Sequence, residues 1–158
     1  MGYEPKRGKF DDTLRVDVLD DDRSMLVVYR FRYRPSDAID DSAAVKVPVG
    51  FRWNGASIPR FWWRVFGSPF VGIHRLPSVI HDWAWVEAKA RRMSFARANW
   101  LFWDAMRTRC LEFYGERRCL CRELAYRFEL AKCWCKWAAV AVNGWRVDRK
   151  LRRAEASP

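Results

Sequence analysis

The chain has 158 residues, of which 50% are hydrophobic and 31% are charged, and this composition excludes a largely disordered protein. The length is that of one domain with a substantial core. No apolar run approaches the roughly 18 residues that identify a membrane span, and no N-terminal segment resembles a signal peptide. We therefore expect neither a transmembrane segment nor a secretion signal.

The net charge of +11 is concentrated in the C-terminal half of the chain. Residues 1–44 carry 8 basic and 10 acidic side chains, whereas residues 89–158 carry 17 basic and 7 acidic ones. A basic face attracts phosphates, anionic lipid head groups or an acidic protein. The alternative is a solvated helix surface that only maintains solubility.

The first part of the chain predicts β-strands. Leu14, Val16 and Val18 alternate with charged residues. In the segment 25–34, the aromatic residues at 29, 31 and 33 alternate with the arginines at 30, 32 and 34. Both patterns have the period of a half-buried strand, the second with a basic outer face. A further strand covers residues 45–51, where Pro48 indicates an edge position or a break.

A polar corner follows these strands. Asn54-Gly55 predicts a turn, and Ser57 can cap a short helix. The side chains of Asn54, Ser57 and Arg60 could face a functional site on the helices that follow. The alternative is a strand-to-helix connection without chemistry.

The second half of the chain predicts helices. Ser78 can cap a helix that runs to about Lys89, and Ser94 can cap another that runs to about Cys110. A third helix covers roughly 120–142 and ends at Asn143-Gly144, a typical C-cap pair.

These elements predict an α+β fold, with a small antiparallel β-meander packed on a helical C-terminal half. Residues 1–145 are expected to form one domain, and residues 146–158 a charged, frayed tail.

The chain contains five cysteines, at positions 110, 119, 121, 133 and 135. Structural zinc sites usually place two or more residues between paired cysteines, whereas here the pairs are separated by one. Residues i and i+2 of a helix also lie on different faces. The spacing therefore favours thiols in a reducing compartment over a metal site.

A candidate active site lies on the first two long helices. His81 shares a helix face with Trp85, and the short connection to the next helix places Asn99 opposite His81. A histidine oriented by a second polar side chain can act as a general base, and Asp82 could bind a cation. The alternative is a core histidine hydrogen-bonded to the backbone. The other histidine, His74, lies on a predicted loop and is a weaker candidate for a functional residue.

The segments "VPVGFRWNGASIPRFWW", "HDWAW" and "RANWLFWDAM" together resemble a family of short phage and prophage proteins known as a domain of unknown function. The match spans about residues 45–106. The resemblance implies a phage-encoded protein, located in the virion or in the host cytoplasm, and it brings no settled activity.

The helix pair is also similar to phospholipases that cleave the sn-2 ester and use a His-Asp helix. That resemblance implies His81 as base, Asp82 as calcium ligand and Asn99 as the orienting residue. Asn99 and Asn54 stand where an aspartate is typical, and Trp85 replaces a tyrosine. An amide orients an imidazole but does not stabilise the imidazolium as a carboxylate does. These departures favour a structural or binding role. We expect no cofactor, and calcium only if the protein is a hydrolase.

The leading hypothesis is therefore a phage accessory protein of the virion, in its tail or head-tail region. It would bind other phage proteins, an acidic host protein or nucleic acid through a basic, aromatic surface. The candidate binding residues are Arg117, Arg118, Arg122, Lys132, Lys136, Trp134, Trp137 and Trp145. The alternatives are a metal-dependent hydrolase that uses His81 and Asp82, and an inhibitor of a host defence system.

Overall fold

In the residues that the computed structural model describes, 6–19, 24–53, 72–114 and 120–156, six short strands form two antiparallel sheets. One sheet has the order β1-β4-β5, formed by Lys9–Phe10, Phe31–Arg34 and Val45–Val47. The other has the order β2-β3-β6, formed by Val16–Val18, Met25–Val27 and Arg52–Trp53.

Among the described residues, three α-helices follow the strands: α1 (Arg75–Lys89), α2 (Phe95–Tyr114) and α3 (Leu120–Glu155). The predicted α+β class is confirmed. None of the described helices combines the length and the apolar character needed to cross a membrane.

The segment predicted as one strand over residues 25–34 is two strands in different sheets. β3 ends at Val27, and β4 begins at Phe31. In β4 the aromatic rings are buried, and the arginines between them are partly exposed. Arg32 and Arg34 both form ion pairs with Asp11, at 3.1 and 2.6 Å, so the basic outer face is partly neutralised within the protein.

Pro48 has the position that its chemistry predicts. β5 lies at the edge of its sheet and ends at Val47, directly before this proline. A proline lacks the backbone N–H that a continued strand would need for pairing.

The start of α1 differs from the sequence prediction. The helix begins at Arg75, and His74, predicted to lie on a loop, occupies its N-cap position. Ser78 lies inside the first turns, where its hydroxyl donates to the Arg75 carbonyl at 2.8 Å instead of capping the helix. The predicted cap of α2 is confirmed, because the Arg97 backbone N–H donates to Ser94 Oγ at 3.0 Å.

The predicted end of α3 at Asn143-Gly144 is wrong, since the helix continues to Glu155. Residues 146–155, expected to belong to a frayed tail, are thus helical. Arg91, in the connection between α1 and α2, forms ion pairs with Asp148 at 2.6 Å and with Glu155 at 3.1 Å. Packing and ion pairing therefore override the local signal to end the helix.

The main core lies between the sheets and the first two helices. Its buried strand residues include Phe31, Tyr33 and Trp53, and its helix residues include Ile80 and Leu101. Several alanines of α1 and α2 complete this core at positions 84, 88, 98 and 105. Small side chains let the helices approach closely, and the aromatic rings of the strands fill the remaining space.

A buried hydrogen-bond network joins β4 to α2. The Tyr33 hydroxyl donates to Asp104 Oδ2 at 2.7 Å and lies 3.1 Å from Thr108 Oγ1. Ser36 donates to the same carboxylate through its backbone N–H and its hydroxyl. Burial raises the pKa of Tyr33 far above its ordinary value, so this side chain stays a hydrogen-bond donor.

We predict that Tyr33→Phe lowers the free energy of unfolding by about 1–3 kcal/mol, because it leaves the buried Asp104 without one of its donors. Tyr29→Phe is the matched control, since Tyr29 is 44% exposed and should change stability by less than about 0.5 kcal/mol. Urea unfolding of both variants measures the difference. Equal effects would contradict a structural role of the network.

Candidate functional site

His81 and Asn99 meet between α1 and α2, as their spacing predicts. His81 Nε2 lies 3.2 Å from Asn99 Oδ1, and Trp85 Nε1 donates to the same oxygen at 3.2 Å. An indole N–H can only donate, so the Asn99 atom that it contacts is the carbonyl oxygen. His81 therefore carries its proton on Nε2 and has an unprotonated Nδ1.

The surroundings of His81 keep its imidazole neutral. The side chain is buried at 3% exposure, and its ring stacks on Phe102 with the centroids 4.4 Å apart. Burial lowers the pKa of His81 to about 4, and the hydrogen bond to Asn99 acts weakly in the opposite direction. Among the described residues, Nδ1 has no hydrogen-bond partner. A buried imidazole with an unpaired nitrogen has the protonation state that a general base requires.

Asp82 lies beside this nitrogen but does not form an ion pair with it at neutral pH. The distance from His81 Nδ1 to Asp82 Oδ1 is 3.9 Å, longer than a hydrogen bond. Burial raises the pKa of Asp82 to about 8, against the smaller effect of the Lys89 charge. The pair at pH 7 is thus a neutral imidazole beside a protonated carboxyl group.

A cavity of about 220 Å³ adjoins this pair. It is lined by Phe51, Arg52, His81, Asp82, Trp85, Val86, Lys89, Val140 and Asn143. The volume is below the range of about 300–1,000 Å³ that is typical of drug-sized ligands, so only a small group fits.

The residues around this cavity do not fit a calcium ion. Calcium takes six to eight oxygen ligands, several of them carboxylates. Among the described residues that line the cavity, Asp82 supplies the single carboxyl group, and the cationic side chains of Arg52 and Lys89 line the same space. Within the described ranges, no three histidine, cysteine or acidic side chains are grouped to hold a metal.

Asn99 also contacts α3, which sequence reasoning missed. A Cβ atom built on Gly144 would lie 2.7 Å from Asn99 Nδ2, closer than real Cβ atoms approach. Gly144 is therefore a site of close helix approach within α3, and this contact explains a glycine in the middle of a helix.

Several predicted site residues lie outside the described residues. These are Asn54, Ser57 and Arg60 of the polar corner, together with Arg117 and Arg118.

The remaining predicted binding residues divide into two groups on α3. Trp134 and Trp145 are exposed, and Arg122 and Lys132 are partly exposed. Lys136, by contrast, is only 5% exposed, because it lies on the side of α3 that packs against α2. The prediction that it belongs to a binding surface is wrong.

Trp137 is also turned toward the interior. It is partly buried and packs against the apolar cluster between α2 and α3. Its ring therefore contributes to helix packing more than to an outer surface.

The side of α3 that points away from α2 carries a row of apolar side chains. These exposed residues recur at spacings of three, four or seven and form what we call the outer face: Leu124, Phe128, Ala131, Cys135, Val142 and Trp145. Phe128 is 67% exposed and Trp145 is 60% exposed. Sequence reasoning named only the tryptophan, although the repeat of apolar residues is visible in the sequence.

The protein is thus a small α+β protein in which α1, with His81, and α2, with Asn99, pack against two small sheets. Residues 26–117 match the family described as Protein of unknown function (DUF1353), and the chain belongs to this family.

One relative is the Uncharacterized protein y4jT of Sinorhizobium fredii (strain NBRC 101917 / NGR234), which is 39% identical over 67 residues. The similarity covers 41% of this chain and 20% of that protein. No solved structure matches the chain.

We predict that Asp82→Asn stabilises the protein at neutral pH. The carboxyl group loses its proton near the ordinary pKa of 3.8 when the chain is unfolded, but keeps it to about pH 8 in the fold. The unfolded state then binds fewer protons between these values, so Asp82 lowers the free energy of unfolding as the pH rises. Near pH 7.5 the variant should be more stable by about 1–3 kcal/mol.

Urea unfolding of both proteins near pH 4 and near pH 7.5 measures this difference. Near pH 4 residue 82 is neutral in both folded proteins, and Asp82 is only about half ionised in the unfolded chain, so the two stabilities should nearly converge. A difference that is the same at both pH values would contradict a protonated Asp82 in the fold.

Proposed function

We propose that this chain is a phage-encoded accessory protein, a binding component of the virion, that docks on an acidic protein partner through the outer face of α3. The observation that carries the proposal is the row of exposed apolar side chains along that helix. The phage setting is supported by the motif order in residues 45–106, which resembles short phage and prophage proteins.

The apolar row suits a partner helix or groove. Monomeric proteins rarely expose contiguous apolar surface over such a length, and larger patches are typical of interaction sites. The side chains follow helical spacing, which is how a helix presents anchors to a groove. Phe128 and Trp145 are the large anchors near its two ends, and the small side chains of Ala131 and Cys135 between them permit close approach.

The charges on α3 favour an acidic partner. Each of its four acidic residues already forms an ion pair: Glu123 with Arg127, Glu129 with Lys132, Asp148 with Arg152, and Glu155 with Arg91. In the part of the chain that the structure describes, Arg146 and Lys150 form no ion pair, and Arg149 contacts only the Trp145 ring, at 5.3 Å. Uncompensated positive charge at this end of the outer face attracts carboxylates.

We predict that wild-type protein is present in purified particles and that Phe128→Glu reduces its amount at least about tenfold, because a carboxylate replaces an apolar anchor. Val49→Glu is the control, since Val49 is 61% exposed but belongs to the turn between β5 and β6 and not to α3. Mass spectrometry of particles from cells that express each variant measures retention.

Absence of the wild-type chain from particles, despite its accumulation in lysed cells, would contradict the proposal. Equal retention of Phe128→Glu and Val49→Glu would contradict the outer face as the docking surface. Release by nuclease or by moderate salt would assign nucleic acid as the partner instead.

Hydrolysis of a small ester is a second candidate function, favoured by the unprotonated Nδ1 of His81 beside the cavity. In this mechanism Nδ1 takes a proton from a water molecule that attacks the ester carbonyl, and the protonated Asp82 supplies a proton to the leaving alkoxide. Asn99 holds the ring through Nε2 but carries no charge to stabilise the imidazolium, so turnover is expected to be slow.

We predict that such activity is bell-shaped in pH between about 4 and about 8, the values that bound a neutral His81 and a protonated Asp82. His81→Gln should remove at least about 99% of it, on the scale of general-base catalysis. The assay is hydrolysis of a short-chain alkyl ester, with and without added calcium. Equal rates for wild type and His81→Gln would exclude this function.

A further inference from the structure

Two cysteines face each other between α2 and α3, on the side of α3 opposite the outer face. The Sγ atoms of Cys110 and Cys133 lie 3.5 Å apart. Both side chains are fully buried, in a cluster with Phe102, Met106 and Val140. They belong to different helices, so a covalent link between them would join α2 to α3.

Ionisable groups on α3 surround this thiol pair. Lys136 follows Cys133 by one helical turn, and Glu129 precedes it by one turn. The Glu129 carboxylate contacts Lys132 at 2.6 Å and His74 Nε2 at 2.7 Å. A buried apolar cluster therefore contains two nucleophilic atoms with a cationic side chain beside them.

The two thiols are not equivalent. The hydrogen bond from the Cys133 thiol lowers the pKa of Cys110 and outweighs burial, which acts in the opposite direction. The negative charge of Glu129 also opposes the lowering of this pKa, and the smaller effects of the Lys136 and Lys132 charges add to the lowering. The same hydrogen bond and burial raise the pKa of Cys133. Cys110 is thus the thiol that ionises first, and Cys133 is its donor.

The two sulfurs are in direct contact but are not bonded. A disulfide has an S–S length of about 2.05 Å, so the two atoms must approach by roughly 1.5 Å. Rotation about the side-chain bonds and a small shift of one helix supply a movement of that size. No other group has to leave the space between the two atoms, since they are already in hydrogen-bond contact.

We propose that Cys110 and Cys133 are a site of reversible oxidation by a small peroxide, which joins α2 to α3 through a disulfide. The Cys110 thiolate attacks one peroxide oxygen; an S–O bond forms, the O–O bond breaks, and hydroxide leaves. Cys133 gives up its proton and attacks the sulfenic sulfur; the S–S bond forms, the S–O bond breaks, and water leaves. For hydrogen peroxide, two thiols lose two electrons and the oxidant becomes two waters.

Burial determines which oxidants react. Hydrogen peroxide is little larger than water and needs only a local opening of the helices to reach the sulfurs. Glutathione disulfide is far larger, and it reacts first with exposed thiols such as Cys135. The site is therefore expected to respond to peroxide and to resist glutathionylation.

The test is peptide mapping of the full chain, without reduction, after separate treatments with hydrogen peroxide and with glutathione disulfide. After peroxide we expect a Cys110–Cys133 cross-linked peptide in most molecules and its loss on addition of dithiothreitol. After glutathione disulfide we expect no glutathione adduct on either residue. Cys135→Ser should form the same bridge. Cys133→Ser should leave Cys110 as a sulfenic acid that dimedone traps, because the second thiol is missing.

The thermal midpoint gives an independent readout. In Cys135→Ser, the peroxide-treated protein should melt several degrees higher than the reduced protein, because a cross-link restricts the unfolded chain. If Cys133→Ser does not fold, the peptide map of the wild type still decides. Two results would overturn the proposal. One is recovery of both Cys110 and Cys133 as thiols while Cys135 is oxidised, and the other is a bridge from either residue to another cysteine.

Discussion

One asparagine side chain, Asn99, connects the three helices that the structure describes. Its carbonyl oxygen accepts from His81 and Trp85 on α1, and its amide nitrogen lies against α3 at the one position without a side chain, Gly144. Asn99 itself lies on α2 and is buried. Because a buried amide must keep its hydrogen bonds, the neighbouring helices cannot move without a cost of about 1–3 kcal/mol. The tautomer of His81 follows from this contact.

The same contact separates the two faces of α3. The inner face is fixed by Gly144 and by the buried Cys133, so its residues serve packing and, in our proposal, oxidation. The outer face does not pack against α2, and large apolar side chains on it, such as Phe128, remain exposed. A helix that is held firmly on one side and apolar on the other is suited to present a rigid surface to a partner. In this account the neutral His81 serves mainly in helix packing, although its unprotonated Nδ1 is in the state that a general base needs.

Local sequence patterns predicted the start of α2 and the contact of His81 with Asn99 better than they predicted the end of α3. The cap at Ser94 and the His81–Asn99 contact follow from helical spacing and a short connection, which are properties of nearby residues. The continuation of α3 through Gly144 depends on a contact with a different helix, and no window of sequence contains that information. Lys136 was assigned to the surface for its charge, but the face on which it lies is set by packing against α2. The long row of apolar residues on α3 was readable in the sequence, but its exposure was not.

The stability of Gly144→Ala tests the central role of the Asn99 contact most directly. Helix propensity alone favours alanine by about 1 kcal/mol, so a loosely packed glycine would give a more stable protein. The contact with Asn99 predicts the opposite sign, a loss of about 1–3 kcal/mol in the free energy of unfolding. Combination with Asn99→Ala should recover part of that loss, because the two sites touch, whereas the exposed Arg146→Ala should not interact with Asn99→Ala. Stabilisation by Gly144→Ala in urea unfolding would contradict the account.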